Sequence, residues 1–337
     1  MTVNIFDHHY ARYLVKKLTA SGQHDPNAGY LKEKAAEESI TALIFVSTPV
    51  YMAFAFSMRV APVQIWWSLK YQGIAVEETD GYLMVGSFER RRMIGGVHWH
   101  VHDAGVPNVR SGPEAIDQAQ ILRTRFKDFD LVATCIGREE KMHNREYLAA
   151  IVEILKRSVR TAFLWTGRYE LPDAVAMFKA SGVAERCFYL GWVADTKPYA
   201  HLTDLYLDTF PFGSGHTAFE AMYAGKPVLM YLSPETLASG VLKHVWPAYS
   251  GNNVQANDHA AVRQIFTGKD GEPLLFAAKT SEEYTQFAAR LLSDAELRRR
   301  AGMAGKRFVE AYMLDPRTMA QSFSAHVLEI INATLVR

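Results

Sequence analysis

Short apolar segments alternate with helical patterns along most of this chain, and that alternation limits the folds open to it. The apolar segments have the length and composition of strands buried on both faces. Strand–helix repeats of this kind build parallel sheets that are covered by helices. The sequence therefore predicts an α/β protein, and its predicted strands are Ala42–Val46, Val63–Trp67, Tyr82–Val85, Leu131–Cys135, Ala162–Trp165, Cys187–Leu190, Leu205–Leu207 and Val228–Tyr231.

The length of 337 residues predicts two domains. Their junction is expected within residues 103–128, where glycines and prolines precede a new series of strands. The predicted domains are residues 1–125 and residues 126–337, and the second ends in a set of helices. Three clear strands precede the junction, whereas a doubly wound domain usually has about five or six. Either the first domain is abbreviated, or the chain starts partway through a larger protein.

Charge and composition exclude several classes of protein. Lys and Arg total 37 against 36 Asp and Glu, a balance that argues against a nucleic-acid partner. The hydrophobic fraction of 49% rules out wholesale disorder. The two cysteines, Cys135 and Cys187, cannot form a disulfide framework, and both lie in apolar runs. Because no secretory signal is recognisable either, we expect free thiols in a cytoplasmic protein.

One uncharged segment, Ser39–Met58, has 20 residues and thus the length of a membrane span. Its middle reads Ser47-Thr48-Pro49, which is typical of a helix start, with a hydroxyl cap and proline in the first turn. The apolar run before it is typical of a short buried strand. We therefore predict a strand, a tight turn and a helix here, without membrane insertion.

The strongest local pattern lies between Leu205 and Val228. An apolar strand ends at Asp208, a glycine-rich loop follows, and a helix begins near His216-Thr217 and stops at Gly225. Free amides at a helix start favour phosphate. We expect the loop Gly213-Ser214-Gly215 to bind phosphate, with Thr217 adding a hydroxyl donor and Glu220 accepting ribose hydroxyls. The alternative is a glycine-rich turn with a threonine cap and a solvated glutamate.

These residues resemble the catalytic region of the O-GlcNAc transferase family and of its bacterial relatives, the cytoplasmic N-glucosyltransferases. The resemblance implies a GT-B fold, with two Rossmann-like domains that face a cleft, an abbreviated first domain and C-terminal helices. It implies that residues 1–125 form the acceptor-side domain and that residues 126–337 form the domain that binds the nucleotide-sugar. The matching segments are Arg59-Val-Ala-Pro-Val-Gln64, Asp208-Thr209, Phe210-Pro-Phe-Gly213, Gly215-His216-Thr217, Ala224-Gly-Lys-Pro-Val228 and Pro234-Glu-Thr-Leu-Ala-Ser239.

The resemblance also implies roles at the donor side. A family lysine that meets the diphosphate corresponds to Lys141, with Arg138 as a second cationic donor. His216 and Thr217 match phosphate contacts, although the next position is Ala218 where the transferase has a second threonine. The resemblance also places Glu220 where the family has an aspartate on the ribose, and Trp192 and Ala194 in a loop that reads the uracil edge.

The activity that the resemblance implies is transfer of glucose or GlcNAc from a UDP-sugar to a protein side chain, with inversion. The UDP-sugar is a co-substrate, and neither a metal nor another cofactor is expected. One alternative keeps the fold but uses a lipid-linked or surface polysaccharide acceptor. A second is a degenerate domain that binds nucleotide without turnover.

Alternating histidines on a predicted strand at Val97–Asp103 place His98, His100 and His102 on one face. They could belong to an ordinary surface strand, bind zinc, or lie at the acceptor side, where His98 or His100 would act as a catalytic base. The tryptophans Trp66-Trp67 replace a turn that approaches the sugar in the family. Their rings could stack on a sugar or belong to the core.

Overall fold

The computed structural model describes residues 27–46, 56–68, 76–251 and 256–336. The chain divides into two compact units, the first comprising Met1–Asp103 with Arg317–Arg337 and the second Ala104–Pro316. The predicted helix start at Ser47–Pro49 lies outside the described residues. No helix within the described ranges is long and apolar enough to cross a membrane.

The first unit contains a five-stranded sheet in the order β1-β2-β3-β5-β4. Four of its strands pair in parallel, and β4 runs antiparallel to β5. Gly95 and Gly96, both with positive φ, make the two-residue turn of that hairpin. The prediction of three strands was therefore too low. The strands are β1 Ala42–Val46, β2 Val63–Ser68, β3 Gly81–Gly86, β4 Arg91–Ile94 and β5 Val97–Asp103.

The two helices described in the first unit are α1, Asn27–Glu37, and α12, Pro316–Leu335. The apolar side of α12 packs on one face of the sheet, where Val327, Ile330 and Ile331 form a buried cluster with Val63, Ile65 and Leu83. This packing corrects the predicted domains: the last helix joins the first unit, and the division falls after Asp103 instead of at residue 125.

The second unit contains a six-stranded parallel sheet in the order β11-β10-β9-β6-β7-β8. The strands that were predicted here recur to within a residue. They are β6 Leu131–Cys135, β7 Thr161–Trp165, β8 Cys187–Tyr189, β9 Leu205–Leu207 and β10 Val228–Tyr231, with β11 Phe276–Ala278 in addition.

Helices connect and cover these strands because each carries an apolar stripe toward the sheet. In α3, for example, every residue from Tyr147 to Leu155 is buried except Ala149 and Glu153. Cys135 is buried and Cys187 is half-buried, and both are free thiols. The helices of this unit are α2 Pro113–Thr124, α3 Arg145–Arg157, α4 Pro172–Ala180, α5 Lys197–Leu202, α6 His216–Tyr223, α7 Pro234–Ala238, α8 Leu242–Ser250, α9 Ala256–Ile265, α10 Ser281–Ser293 and α11 Ala295–Tyr312.

Candidate active site

The loops that follow β6 and β9 meet at the carboxyl edge of the second sheet. The two strands are parallel neighbours, so their carboxyl ends lie side by side. Lys141 lies in a short 3₁₀ turn after β6, and its Nζ donates a hydrogen bond to the carbonyl of Gly213 at 2.8 Å. The predicted lysine and the glycine-rich loop are thus adjacent, in the place where open parallel sheets bind ligands.

Asp208, at the end of β9, holds the glycine-rich loop in shape. Its Oδ1 accepts hydrogen bonds from the amides of Thr209, at 3.0 Å, and Ser214, at 2.6 Å. Burial raises the pKa of this carboxyl to about 6, although the charge of Lys141 and these amides act in the opposite direction. The sequence interpretation gave Asp208 no role. The available signal for such a role was the position of this carboxylate in the sequence, between a buried strand and a glycine-rich loop.

The loops after β9 and β10 touch backbone to backbone. Gly240 has φ of 76°, and a Cβ at this position would lie 2.9 Å from the carbonyl carbon of Gly213. The amide of Val241 donates to the carbonyl of Ser214 at 3.0 Å. The position of the glycine-rich loop therefore depends on a glycine in a neighbouring loop.

Helix α6 begins at His216, and its N-cap is Gly215, to which no described side chain adds a capping hydrogen bond. The positive end of the helix dipole and the first amides thus lie at the glycine-rich loop. The side chain of His216 is exposed, whereas Ser214 and Gly213 are buried. This end of α6 has the properties of a phosphate site.

The Thr217 hydroxyl forms its hydrogen bonds within the protein. Its Oγ1 lies 2.8 Å from the carbonyl oxygen of Ile136 and 2.8 Å from the hydroxyl of Tyr206, which itself lies 2.9 Å from that carbonyl. Because the Ile136 carbonyl can only accept hydrogen bonds, the hydroxyl protons of Thr217 and Tyr206 are both placed among these three oxygen atoms. Thr217 therefore anchors α6 to the end of β6 and does not present the predicted hydroxyl donor to a phosphate.

Glu220 joins α6 to the loop that follows β8. Its Oε2 accepts a hydrogen bond from Thr196 Oγ1 at 2.6 Å, and its Oε1 lies 3.3 Å from His216 Nε2. The residue is only 4% exposed, which differs from the predicted open ribose contact. Its carboxylate instead contacts His216 on its own helix and Thr196 in this loop.

That loop carries Trp192 and Ala194, which are both exposed. The guanidinium carbon of Arg168 lies 5.9 Å from the centre of the Trp192 ring, a cation–π contact. The exposed ring offers a flat apolar face at the same edge of the sheet as α6. The contact of this loop with a nucleobase stays a prediction.

Arg138 and Glu139 differ in solvent exposure. The side chain of Arg138 is exposed, and its carbonyl accepts the amide of Lys141 at 3.1 Å. Glu139 is buried and accepts a hydrogen bond from the amide of Arg168 at 2.8 Å, which lowers the pKa of its carboxyl. Glu139 thus connects the loops after β6 and β7, whereas Arg138 and Glu140 are exposed.

Comparison with known proteins identifies the fold. No protein-family model and no curated protein matches this sequence. A mutant of Thermobaculum terrenum O-GlcNAc transferase aligns with TM-score 0.62 and 18% identity, over 91% of this chain and 56% of that one. Anabaena HepE in complex with UDP and glucose aligns with TM-score 0.62 and 13% identity, over 90% of this chain and 82% of HepE. The chain has the GT-B fold.

A glycosyltransferase from Rickettsia africae aligns with TM-score 0.60 and 14% identity, over 99% of this chain and 84% of the Rickettsia chain. The two units correspond to the two Rossmann-like domains of the GT-B fold. The present chain spans 56% of the length of the Thermobaculum terrenum protein. At identities of 18% or lower, the similarity to these structures shows the fold alone.

The residues predicted for the acceptor side lie in the first of these Rossmann-like units. His98 is exposed and near the amino end of β5, at the edge opposite to the one where such sheets bind ligands. His100 lies under α12, with its side chain 13% exposed. Neither position supports the predicted catalytic role.

The two tryptophans belong to the interior of the first unit. Trp66 is 1% exposed and meets the Phe56 ring at 5.8 Å, and Trp67 packs against Phe323 at 4.7 Å. Of the two interpretations left open by the sequence, these contacts favour the core over sugar stacking.

The segment Arg59–Gln64, which carried part of the resemblance, has a structural role. The Arg59 guanidinium bonds the carbonyl of Glu78 at 2.7 Å and the carboxylate of Asp80 at 2.9 Å. Gln64 is fully buried, and its amide group bonds the carbonyls of Phe56 and Glu78 and the amide of Val60. These bonds join the segments that enter β2 and β3 at the amino edge of the sheet.

Proposed function

We propose that this chain is a glycosyltransferase whose second unit binds a UDP-sugar at the carboxyl edge of its sheet. The contact of Lys141 Nζ with the Gly213 carbonyl, at 2.8 Å beside the start of α6, carries the proposal. It brings an ammonium group and a helix N-terminus together, and both stabilise a diphosphate. HepE, which has the same fold, was crystallised with UDP-glucose, and this supports uridine as the base.

The proposed chemistry is loss of a nucleoside diphosphate from the anomeric carbon of the sugar. Negative charge grows on the diphosphate as the glycosidic bond breaks, and Lys141 with the amides of α6 would stabilise it in place. Because the chain supplies this positive charge, we expect no metal requirement. We assign Arg138, Ser214, Gly215 and His216 to the phosphates, and Trp192 and Ala194 to the base.

The resemblance to the O-GlcNAc transferase family supports a protein side chain as acceptor, with glucose or GlcNAc transferred and the anomeric configuration inverted. In this proposal Glu220 is a positioning residue, since it holds His216 and Thr196 and is itself buried. An acceptor screen that includes peptides, glycolipids and oligosaccharides distinguishes protein glycosylation from synthesis of a polysaccharide.

Nucleotide binding without transfer is the second candidate function. The positions of His98 and His100 favour it, because neither offers a base at the carboxyl edge of the first sheet. A time course with radiolabelled UDP-glucose and UDP-GlcNAc on a peptide library separates the two candidates. Multiple turnovers support the transferase, and UDP binding with no labelled product supports the binding domain.

The donor assignment is tested by thermal denaturation with UDP, ADP and GDP. A ligand that binds only the folded state stabilises by RT ln(1 + [L]/Kd), about 2.7 kcal/mol at a hundredfold excess over Kd. We expect UDP to raise Tm more than ADP or GDP, and EDTA to leave this shift intact. A shift with ADP or GDP and none with millimolar UDP would contradict the uridine assignment.

A further inference from the structure

Three side chains of the first unit converge on one point between the sheet and α12. His100 comes from β5, and His326 and Glu329 are three residues apart on α12 and so share a face of the helix. Within the described residues, this is the one group of three or more His, Cys, Asp or Glu side chains whose ligand atoms all lie within 4.8 Å of one another. His100 and His326 are 226 residues apart in the chain.

The three ligand atoms form an equilateral triangle. His100 Nδ1 lies 3.4 Å from His326 Nδ1 and 3.4 Å from Glu329 Oε2, and the last two atoms are also 3.4 Å apart. Ordinary hydrogen bonds in proteins measure about 2.7–3.2 Å, so these contacts are long for hydrogen bonds. Zinc bonds of about 2.0–2.1 Å in a tetrahedron hold the ligand atoms about 3.3–3.4 Å apart. The spacing thus fits a shared zinc ion without any rearrangement.

The protonation of His326 also suits a metal ligand. Its Nε2 lies 3.0 Å from the carbonyl oxygen of Val101, and a carbonyl only accepts, so Nε2 carries the proton. In the neutral ring, Nδ1 then carries the lone pair, and this atom faces His100 and Glu329. Histidine ligands of metals typically donate their other ring N–H to such a carbonyl, which fixes the tautomer and the ring.

A neighbouring arginine orients the Glu329 carboxylate. The Arg91 guanidinium bonds Oε1 of Glu329, which leaves Oε2 toward the two histidines. The Glu329 side chain is 46% exposed, so solvent reaches the site and water can complete the coordination.

We propose that His100, His326 and Glu329 bind one Zn²⁺ that fastens α12 to β5. Two imidazoles and a carboxylate are a donor set that zinc accepts, with water as the fourth ligand. The site belongs to the first unit, whereas the proposed donor site belongs to the second. It accounts for one of the histidines that alternate along β5.

The test is zinc binding by the full chain after dialysis against a chelator. We expect one equivalent of Zn²⁺ by metal analysis and competition titration, the visible absorption of tetrahedral Co²⁺ on substitution, and a Tm that rises with Zn²⁺ but not with Mg²⁺. The variants His100→Gln and His326→Gln should bind more than about 100-fold more weakly, beyond the 10–100-fold that loss of an outer partner costs.

His98→Gln is the matched control, since His98 lies on the same strand but outside the cluster, and it should bind like wild type. Because buried histidine variants can misfold, Glu329→Gln provides a partly exposed second ligand variant, checked by circular dichroism, and it too should weaken binding. Absence of metal on the wild-type chain overturns the proposal. So does binding that His98→Gln weakens as much as His326→Gln, or that Glu329→Gln leaves unchanged. None of these results depends on UDP.

Discussion

Lys141 shows how one residue gains a candidate function through its neighbours. Its ammonium group donates a hydrogen bond to a backbone carbonyl of the glycine-rich loop, and its charge opposes the rise in pKa that burial causes at Asp208. In the proposed function, a cation held by this carbonyl is already in position for a diphosphate, so little reorganisation would remain for the reaction.

Replacement of this lysine is the direct test of its role. In Lys141→Ala we expect turnover of the UDP-sugar to fall by about 10²-fold or more, because the charge on the leaving group grows in the transition state. Initial rates of UDP release measure the effect. Lys156→Ala removes an exposed lysine of α3 that pairs with Glu153, and it should leave the rate unchanged. Equal rates in the two variants would contradict the assignment and favour Arg138.

Asp208 gives a prediction about pH. Its folded-state pKa, about 6, is above the value near 3.8 for a free aspartate. The folded protein then binds more protons than the unfolded chain between these values. The contribution of Asp208 to stability is present below about pH 4 and is lost as pH rises through 6.

The change amounts to about 2–3 kcal/mol, since each pKa unit is worth about 1.4 kcal/mol. Urea unfolding of wild type and Asp208→Asn from pH 4 to pH 7.5 measures it. We expect the free energy of unfolding of wild type to fall relative to that of the variant by this amount. Asparagine keeps the acceptor for the amides of Thr209 and Ser214. Parallel curves would show that the carboxyl does not titrate in this range.

At the scale of elements, the segment that enters β2 is fixed by one buried amide side chain. Gln64→Ala would leave the carbonyl of Phe56 and the amide of Val60 without their partners, and each buried group left unsatisfied costs about 1–3 kcal/mol. We expect the first unit to lose about 2–4 kcal/mol while UDP affinity is retained. Chemical denaturation and calorimetric titration measure the two quantities. The control Gln321→Ala changes an exposed residue of α12. A loss of UDP affinity would contradict a purely structural role.

The sequence predicted the parallel strands well because uninterrupted apolar runs leave little choice of structure. Strand β7, for example, is buried at every position. It did not predict β4, where Arg91–Ile94 is a polar edge strand with alternating exposure. The Gly95-Gly96 pair was the available signal for that hairpin. A strand count therefore gives poor evidence that the first domain is incomplete.

The candidate site was predictable in part. Lys141 and the glycine-rich loop follow adjacent parallel strands, and strand order alone brings them together. The partner of Thr217 was not predictable, because the Ile136 carbonyl is 81 residues away in the chain. The surroundings of His100 were not predictable for the same reason, since α12 comes from the opposite end of the sequence.

At the scale of the whole molecule, the chain leaves the first unit after Asp103 and returns to it at Arg317. The returning α12 covers Val63, Ile65 and Leu83, which would otherwise be an exposed apolar face. The first unit is thus built from two separate segments of the chain, whereas the second unit is one continuous segment.

This arrangement predicts that damage to α12 affects the two units unequally. Ile330 is 3% exposed and packs on the first sheet, so Ile330→Asp buries a charge and should destabilise the first unit by about 4 kcal/mol or more. Hydrogen exchange measured by mass spectrometry should then show lost protection in β1, β2, β3 and β5. The strands of the second unit should stay protected, and UDP should still raise their transition temperature.

Leu328→Asp is the matched control, because Leu328 lies on the same helix and is 44% exposed. The same substitution there creates no buried charge, and its exchange should follow wild type in both units. Loss of protection in β6, β9 and β10 of Ile330→Asp would contradict the division, since it would mean that the units unfold together. Unchanged protection of β2 and β3 would contradict the packing of α12 on the first sheet.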